Sequence, residues 1–164
     1  MKSFLMSLGI LFCANAAQAL EMGDTAPCVI LNHISESGTE AEHCIRDHGP
    51  QQKFTLIEFF SITCSTCMEN HPILNQLAND ISATTTSRQI AVDRDANAIR
   101  TYVSTNRKDF PLEVALDFER DAKKAYGVVE TPTTFILNSN FKIVYKHAGV
   151  FSASDISQIK EIVK

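Results

Sequence analysis

Two cysteines separated by two residues directly follow an apolar run, and this arrangement constrains the chain more than any other feature. The run is TLIEFF, residues 55–60, and the cysteines are Cys64 and Cys67. A short run rich in aromatic and aliphatic residues is typical of a buried strand. Apolar residues then recur at helical spacing from about residue 65 to residue 82. The cysteine pair is therefore predicted to lie where a strand passes into a helix.

Four functions are open to two thiols at this spacing: a zinc site, haem attachment, a structural disulfide or a redox-active pair. A structural zinc site needs four nitrogen or sulfur ligands, and Cys64, Cys67 and His71 supply three. Haem attachment requires a histidine directly after the second cysteine, where this sequence has Met68. A structural disulfide closing so small a loop removes little entropy from the unfolded chain.

A redox-active pair fits the predicted location best. At the start of a helix, exposed backbone N–H groups and the helix dipole stabilise a thiolate on Cys64. The thiolate is the attacking species in disulfide exchange, and a second thiol one turn later can resolve the mixed disulfide. We therefore predict redox chemistry by the motif Cys64-Ser-Thr-Cys67.

The rest of the pattern predicts one layered α/β domain over residues 20–164. Strands around the polar turn SESGTE form a predicted N-terminal hairpin, and a second hairpin surrounds Asn138-Ser139-Asn140. A helix is predicted to end at Gly127. Ser152 and Asp155 have the spacing of a capping box before the last helix. Strands that alternate with helices are typical of α/β layers.

The first nineteen residues have a different composition. Lys2 is followed by an apolar run of about ten residues and then by small residues ending in Ala17-Gln18-Ala19. This is the layout of a secretory signal peptide with an A-x-A cleavage site. We expect residues 1–19 to be removed and the protein to be periplasmic. An uncleaved anchor is the alternative, although the run is short for a bilayer.

Cleavage after Ala19 removes Cys13 and leaves four cysteines, an even number that fits an oxidising compartment. Four cysteines permit three pairings. We favour Cys64–Cys67 together with a structural Cys28–Cys44 bond, because Cys28 and Cys44 fall on the two predicted hairpin strands. The alternative is a relay in which Cys28 and Cys44 exchange disulfides with the motif.

These features together resemble the thioredoxin superfamily, most closely its exported TlpA/ResA-like thiol-disulfide oxidoreductases. The segments that carry the resemblance are GDTAPCVIL, LIEFFSITCSTC, Pro72 in the first helix and AYGVVETPTTFIL. It covers about residues 22–164. It implies a thioredoxin-like three-layer fold, in which helices flank a central mixed β-sheet and an N-terminal β-hairpin is added.

The resemblance also implies roles for individual residues. Cys64 would be the nucleophile and Cys67 the resolving thiol. Pro132 would follow a cis peptide bond beside them and expose the backbone of Thr131 for pairing with a substrate chain. Glu58 lies where thioredoxins place a buried acid. Burial would raise the pKa of Glu58 and let it relay a proton to or from Cys67.

The sequence departs from the family pattern near the motif. Thr63 stands where an aromatic residue usually precedes the first cysteine, and the dipeptide Ser65-Thr66 lacks the usual Pro or Gly. Asn70 occupies a position where many relatives have Glu. These differences leave the reduction potential and the choice of partner open.

The histidines carry weaker signals. His71 could favour a thiolate as an ionisable group near the cysteines, but we expect it on a solvated helix face. The other histidines, His33, His43, His48 and His147, form no recognisable constellation.

The expected protein is a periplasmic thiol-disulfide oxidoreductase acting on cysteine-containing exported proteins, with reduction as the favoured direction. We expect no cofactor, because the cysteine pair carries both electrons, and a membrane-bound redox partner would recharge it. No bound metal is expected either, because the motif offers too few ligands. A monomer is expected. A nucleic-acid partner is not, because the net charge is −4 and no basic run occurs.

Three other functions remain as alternatives to disulfide exchange. A peroxidase of the same fold needs a proline that FFSITC lacks. A metal (copper) chaperone and a non-catalytic thioredoxin-like binding module are the other two.

Overall fold

The computed structural model describes residues 19–108 and 110–164. The predicted signal peptide therefore lies outside the described residues, apart from its last residue, Ala19. The elements of the described chain are, in order, β1 (Ile30–Ile34), β2 (Glu40–Cys44), β3 (Phe54–Phe60), α1 (Ser65–Ile81), β4 (Thr85–Ala91), α2 (Ala96–Thr105), β5 (Glu113–Leu116), α3 (Asp121–Ala125), β6 (Thr133–Leu137), β7 (Ile143–Ala148) and α4 (Ala153–Ile162).

The seven strands of the described chain form one mixed sheet in the order β2-β1-β5-β4-β3-β6-β7. Strands β3, β4 and β5 are parallel neighbours, whereas β1–β2, β1–β5, β3–β6 and β6–β7 are antiparallel. The predicted N-terminal hairpin is confirmed. It continues the sheet beyond β5, and β3 lies near the middle.

Strand β3 is buried on both faces, which explains its nearly continuous apolar sequence. On one face Leu56 packs against Leu74 of α1 and Ile159 of α4. On the other face Phe59 packs against Tyr126, directly after α3. Helices therefore cover both faces of the sheet, as the predicted three-layer arrangement requires. None of the helices in the described chain is long and apolar enough to cross a membrane.

The predicted helix ends are confirmed. Ser152 and Asp155 form a capping box at the start of α4. After α3 the chain turns at Gly127, whose φ of 63° lies in the left-handed region that favours glycine. The N–H of Val128 donates to the carbonyl of Lys123 at 2.9 Å, which satisfies an exposed carbonyl at the helix end.

Cys28 and Cys44 are joined by a disulfide, with their Cα atoms 5.5 Å apart. Cys44 ends β2, as predicted, but Cys28 lies before β1 rather than within it. The reason is the strand register. Ile30 is already opposite Cys44, so the residues before Ile30 face no further residue of β2.

Candidate active site

A short loop carries the chain from β3 into α1 and places the two motif cysteines. Asp93, which follows β4, holds this loop: it accepts hydrogen bonds from Ser61 Oγ at 2.7 Å and from the N–H of Ile62 at 2.9 Å. Cys64 then caps α1. Sequence reasoning missed Asp93, because it lies about thirty residues from the loop that it positions.

Cys64 and Cys67 form a disulfide, with their Cα atoms 5.2 Å apart. The two residues differ in accessibility: Cys64 is half-buried, whereas Cys67 has 0% exposed surface. The backbone N–H of Cys67 donates to the sulfur of Cys64 at 3.1 Å. An N–H at the start of a helix stabilises negative charge on an accepting sulfur. Cys64 therefore has both the better access and the better environment for a thiolate.

The segment before β6 lies against the same sulfur. The Thr131–Pro132 peptide bond is cis, and Cys64 Sγ lies 3.4 Å from the carbonyl oxygen of Thr131. Pro132 is buried and Thr131 is half-buried, while Val129 is 88% exposed. The structure thus brings Cys64, Cys67, Thr131 and Pro132 together at one end of α1.

Glu58 of β3 is a carboxyl group with 0% exposed surface. Its carboxylate accepts hydrogen bonds from the side-chain amides of Asn70 at 2.6 Å and Gln89 at 3.3 Å. Burial raises the pKa of Glu58 to about 7, against the opposite effect of these two hydrogen bonds. Near neutral pH, Glu58 is therefore populated in both its charged and its neutral form.

Asn70 links Glu58 to the cysteine helix. It lies one turn after Cys67, and residues three apart on a helix are neighbours. Its side-chain amide donates to Glu58, and its side-chain oxygen accepts the N–H of Phe151 at 2.9 Å. In this chain the buried acid comes from β3, and it is held by Asn70, which lies one helical turn after Cys67.

The expected solvated position of His71 is wrong. His71 is only 3% exposed and packs edge-on against Phe60 and Phe110, with ring centroids 5.2 and 4.4 Å away. The helical period explains this, because residue 71 lies four residues after buried Cys67 on the same face. His71 Nε2 is 3.7 Å from Glu58 Oε1. His71 also lines a cavity of about 440 Å³ together with Tyr102.

Comparisons with known proteins agree with this fold. The family model described as Redoxin matches residues 22–163. Thiol-disulfide oxidoreductase ResA of Geobacillus thermodenitrificans is 26% identical over 163 residues, which is 98% of this chain and 90% of that protein. Sporulation thiol-disulfide oxidoreductase A of Bacillus subtilis is 23% identical over 163 residues, or 96% of this chain and 94% of that protein.

A solved structure extends the comparison to three dimensions. The putative thiol:disulfide interchange protein DsbE of Chlorobium tepidum has a TM-score of 0.69 and 21% identity, covering 88% of this chain and 96% of that one. This likeness confirms the predicted thioredoxin-like fold, including a mixed sheet with helices on both faces.

Proposed function

Because the chain belongs to the Redoxin family and is a thiol-disulfide oxidoreductase of the ResA kind, we propose that Cys64-Ser-Thr-Cys67 is its redox-active motif. The observation that carries this proposal is the unequal burial of the two bonded cysteines. A nucleophile must reach a client disulfide, whereas a resolving thiol needs to reach only the nucleophile. Half-buried Cys64 is therefore the nucleophile, and fully buried Cys67 is the resolving thiol.

In the favoured direction the enzyme reduces its client. The Cys64 thiolate attacks one sulfur of the client disulfide, and the other client sulfur leaves as a thiolate and takes up a proton. The Cys67 thiol then loses its proton and attacks the Cys64 sulfur, which releases the second client sulfur as a thiolate that takes up the second proton from solvent. The client gains two electrons and two protons, and the enzyme is left with the Cys64–Cys67 disulfide.

Glu58 is the proton acceptor for Cys67 in this scheme. Its pKa of about 7 lets it take and release a proton near neutral pH. Since Glu58 has no exposed surface, the proton must continue through a neighbouring group. His71 lies 3.7 Å from Glu58 and lines a cavity open to solvent, so it provides the next step of this route.

The charges around the motif favour the reducing direction. The first turn of α1, residues 65–68, carries no charged side chain that would stabilise a Cys64 thiolate. An ionised Glu58, held by Asn70 one turn after Cys67, opposes negative charge on the sulfurs. Strong oxidants have a stabilised reduced form. At this motif the helix N-terminus stabilises the Cys64 thiolate, but no cationic side chain of the first turn adds to it and a carboxyl group opposes it. We therefore expect a less stabilised reduced form than that of a strong oxidant, which is the property of a reductase.

The backbone around Thr131 and Pro132 is the proposed contact for the client chain. It lies beside Cys64 Sγ, so an extended client segment bound there would present its disulfide to the nucleophile. The proposed clients are cysteine-containing exported proteins in the periplasm, in line with the predicted signal peptide. A membrane-bound partner would reduce the enzyme after each turnover.

Trapping of mixed disulfides tests these roles. The reduced mature protein and its Cys64→Ser and Cys67→Ser variants are mixed with glutathione disulfide, and the adducts are located by peptide mass spectrometry. We expect the wild-type protein to end as the Cys64–Cys67 disulfide. Cys67→Ser should accumulate an adduct on Cys64, and Cys64→Ser should accumulate almost none. Accumulation on Cys67 alone would reverse the assignment, and an unreactive wild-type motif would favour a non-catalytic binding module.

A further inference from the structure

A row of polar side chains crosses four neighbouring strands at the hairpin end of the sheet. It consists of His43 on β2, His33 on β1, Glu113 on β5 and Arg88 on β4. Arg88 and Glu113 are directly opposite in the register of β4 and β5. The sequence interpretation found no constellation among the histidines, and the structure corrects it: His33 and His43 converge on Glu113.

This row belongs to the face of the sheet away from the cysteine pair. Arg88 is opposite Ile57 in the register of β3 and β4, whereas Glu58 is the next residue along β3 and points to the other face. The row is therefore separate from the candidate active site. A function of this row would therefore be independent of disulfide exchange at Cys64 and Cys67.

One carboxylate oxygen is the centre of the cluster. Glu113 Oε1 lies 2.6 Å from His33 Nδ1 and 2.8 Å from His43 Nε2, and the three ligand atoms all lie within 4.8 Å of one another. His33 is 2% exposed, whereas the side chains of His43 and Glu113 are each about one-third exposed. The cluster is thus closed on the His33 side and open to solvent on the other.

The two ring nitrogens of His33 face acceptors only. Nδ1 faces the carboxylate of Glu113, and Nε2 lies 3.2 Å from the carbonyl oxygen of His43. A neutral imidazole has a single N–H. Whichever nitrogen carries it, the other directs a lone pair at an oxygen. In a neutral His33, an N–H on Nδ1 donates to Glu113 but leaves the lone pair of Nε2 facing the carbonyl oxygen of His43, whereas a metal ion bound at Nδ1 would let Nε2 carry the N–H and donate to that carbonyl.

We propose that His33 Nδ1, His43 Nε2 and the carboxylate of Glu113 bind a divalent transition-metal ion of the zinc class, with solvent completing the coordination. Two imidazoles and a carboxylate are a donor set that zinc uses. A tetrahedral ion with bonds of about 2.0–2.2 Å keeps its ligand atoms about 3.4 Å apart. The observed separations of 2.6 and 2.8 Å must therefore open by less than about 1 Å.

Two further contacts suit this site. With Nδ1 on the metal, His33 Nε2–H donates to the carbonyl of His43, the kind of hydrogen bond that orients metal-binding histidines. Arg88 Nε lies 3.5 Å from Glu113 Oε1 and steadies the carboxylate, while its Nη1 donates to the carbonyl of Cys44 at 2.9 Å. The imidazole rings stack with centroids 3.6 Å apart, so partly exposed His43 must turn to direct its lone pair at the ion.

Metal titration of the untagged, fully oxidised mature protein tests the proposal. Both disulfides stay closed, so no thiol of the mature chain competes for the ion. We expect one Zn²⁺ per chain by calorimetry at pH 7, and a rise in melting temperature that a chelator reverses. His43→Ala and Glu113→Gln should each weaken binding at least tenfold. His48→Ala is the matched control, since His48 lies outside the cluster and contacts the carbonyl of Gly49, and it should bind as the wild-type protein does.

A measurement on the wild-type protein alone covers the case in which a variant does not fold. The ¹¹³Cd resonance of the cadmium-loaded oxidised protein should lie in the range of nitrogen and oxygen ligands. Absence of Zn²⁺ binding would overturn the proposal and leave the cluster as an ion pair held by a proton on His33. Binding that survives in both cluster variants, or is lost in His48→Ala, would equally overturn it.

Discussion

The side-chain amide of Asn70 donates a hydrogen bond of 2.6 Å to the carboxylate of Glu58, and both residues are completely buried. This contact joins the central strand β3 to α1 one turn behind Cys67. It ties an acid with a raised pKa to the helix that carries the cysteine pair. The protonation of Glu58 should therefore affect stability and, in the proposed proton relay, the reaction of Cys67.

Replacement of Glu58 by glutamine should remove one component of the pH dependence of stability. Burial raises the pKa of Glu58 from 4.5 to about 7, so between these values the folded state holds a proton that the unfolded state releases. Glu58 should therefore contribute a fall of about 3 kcal/mol in the free energy of unfolding as pH rises from 4.5 to above 7. Urea unfolding of the oxidised protein at several pH values measures this slope.

The comparison with Glu58→Gln isolates this contribution, because other titrating groups contribute equally to both proteins. Glu69→Gln, the same change at an exposed position of α1, should follow the wild-type curve. If Glu58→Gln ran parallel to the wild-type protein between pH 4.5 and 7, the buried carboxyl would not have the pKa that its surroundings indicate.

Asn70→Ala should destabilise the protein by about 2–4 kcal/mol, since it leaves the N–H of Phe151 and an oxygen of Glu58 buried without their partner. The loss of stability should be larger at pH 8 than at pH 5, because the hydrogen bond from Asn70 stabilises the ionised carboxylate of Glu58 more than its neutral form. Asn79→Ala, at an exposed position of the same helix, should change stability by less than about 0.5 kcal/mol. An equal loss at both pH values would show that Asn70 acts through packing alone.

Strands and helices were predictable from local signals. Each of three signals depends on residues only a few positions apart, and each prediction was confirmed. They are the apolar run before Cys64, the capping box at Ser152 and Asp155, and Gly127 after α3. The pairing of β1 with β5 was not predictable in this way. About eighty residues separate these strands, and no local pattern specifies which distant edge a hairpin joins.

In the candidate site, too, residues with a local sequence signal were predictable and residues without one were not. Cys64 and Cys67 are close in sequence, so their spacing, together with the apolar run before them, was enough to predict a redox pair. His71 was misplaced because a lone polar residue on a helix gives no sign of the rings that will cover it, here Phe60 and Phe110. The cluster at Glu113 brings together residues from distant strands and left no signal in the sequence.

His71→Phe should slow the resolving step if His71 conducts the proton from Glu58. Phenylalanine keeps an aromatic ring between Phe60 and Phe110, so packing is largely retained. We expect the oxidation of the reduced protein by glutathione disulfide to slow at least several-fold at pH 7 and to recover as pH rises, because a more alkaline solvent deprotonates Cys67 directly. Stopped-flow kinetics across pH 6–9 measure this profile.

The double variant Glu58→Gln/His71→Phe provides the control, because two residues on one route should not have additive effects. Its rate at pH 7 should match that of Glu58→Gln alone. Additive slowing, or a loss in His71→Phe that is the same at every pH, would place His71 outside the proton route.

Removal of the second disulfide should separate stability from activity. Cys28→Ser/Cys44→Ser opens a loop with a sequence separation of 16, which should cost about 3 kcal/mol of stability in the chain-entropy model. Disulfide exchange at Cys64 should continue at close to the wild-type rate under conditions where the variant is folded. Loss of exchange in a variant that circular dichroism finds folded would favour a relay between the two cysteine pairs.

The reduction potential of Cys64–Cys67 tests the central claim most directly. The mature protein is equilibrated with glutathione buffers, and its thiols are trapped and counted by mass spectrometry. We predict a value near or below that of thioredoxin, about −270 mV, because no cationic side chain in the first turn of α1 stabilises a Cys64 thiolate and an ionised Glu58 would oppose one. A value near −120 mV, where strong oxidants lie, would contradict this account and identify an enzyme that donates its disulfide.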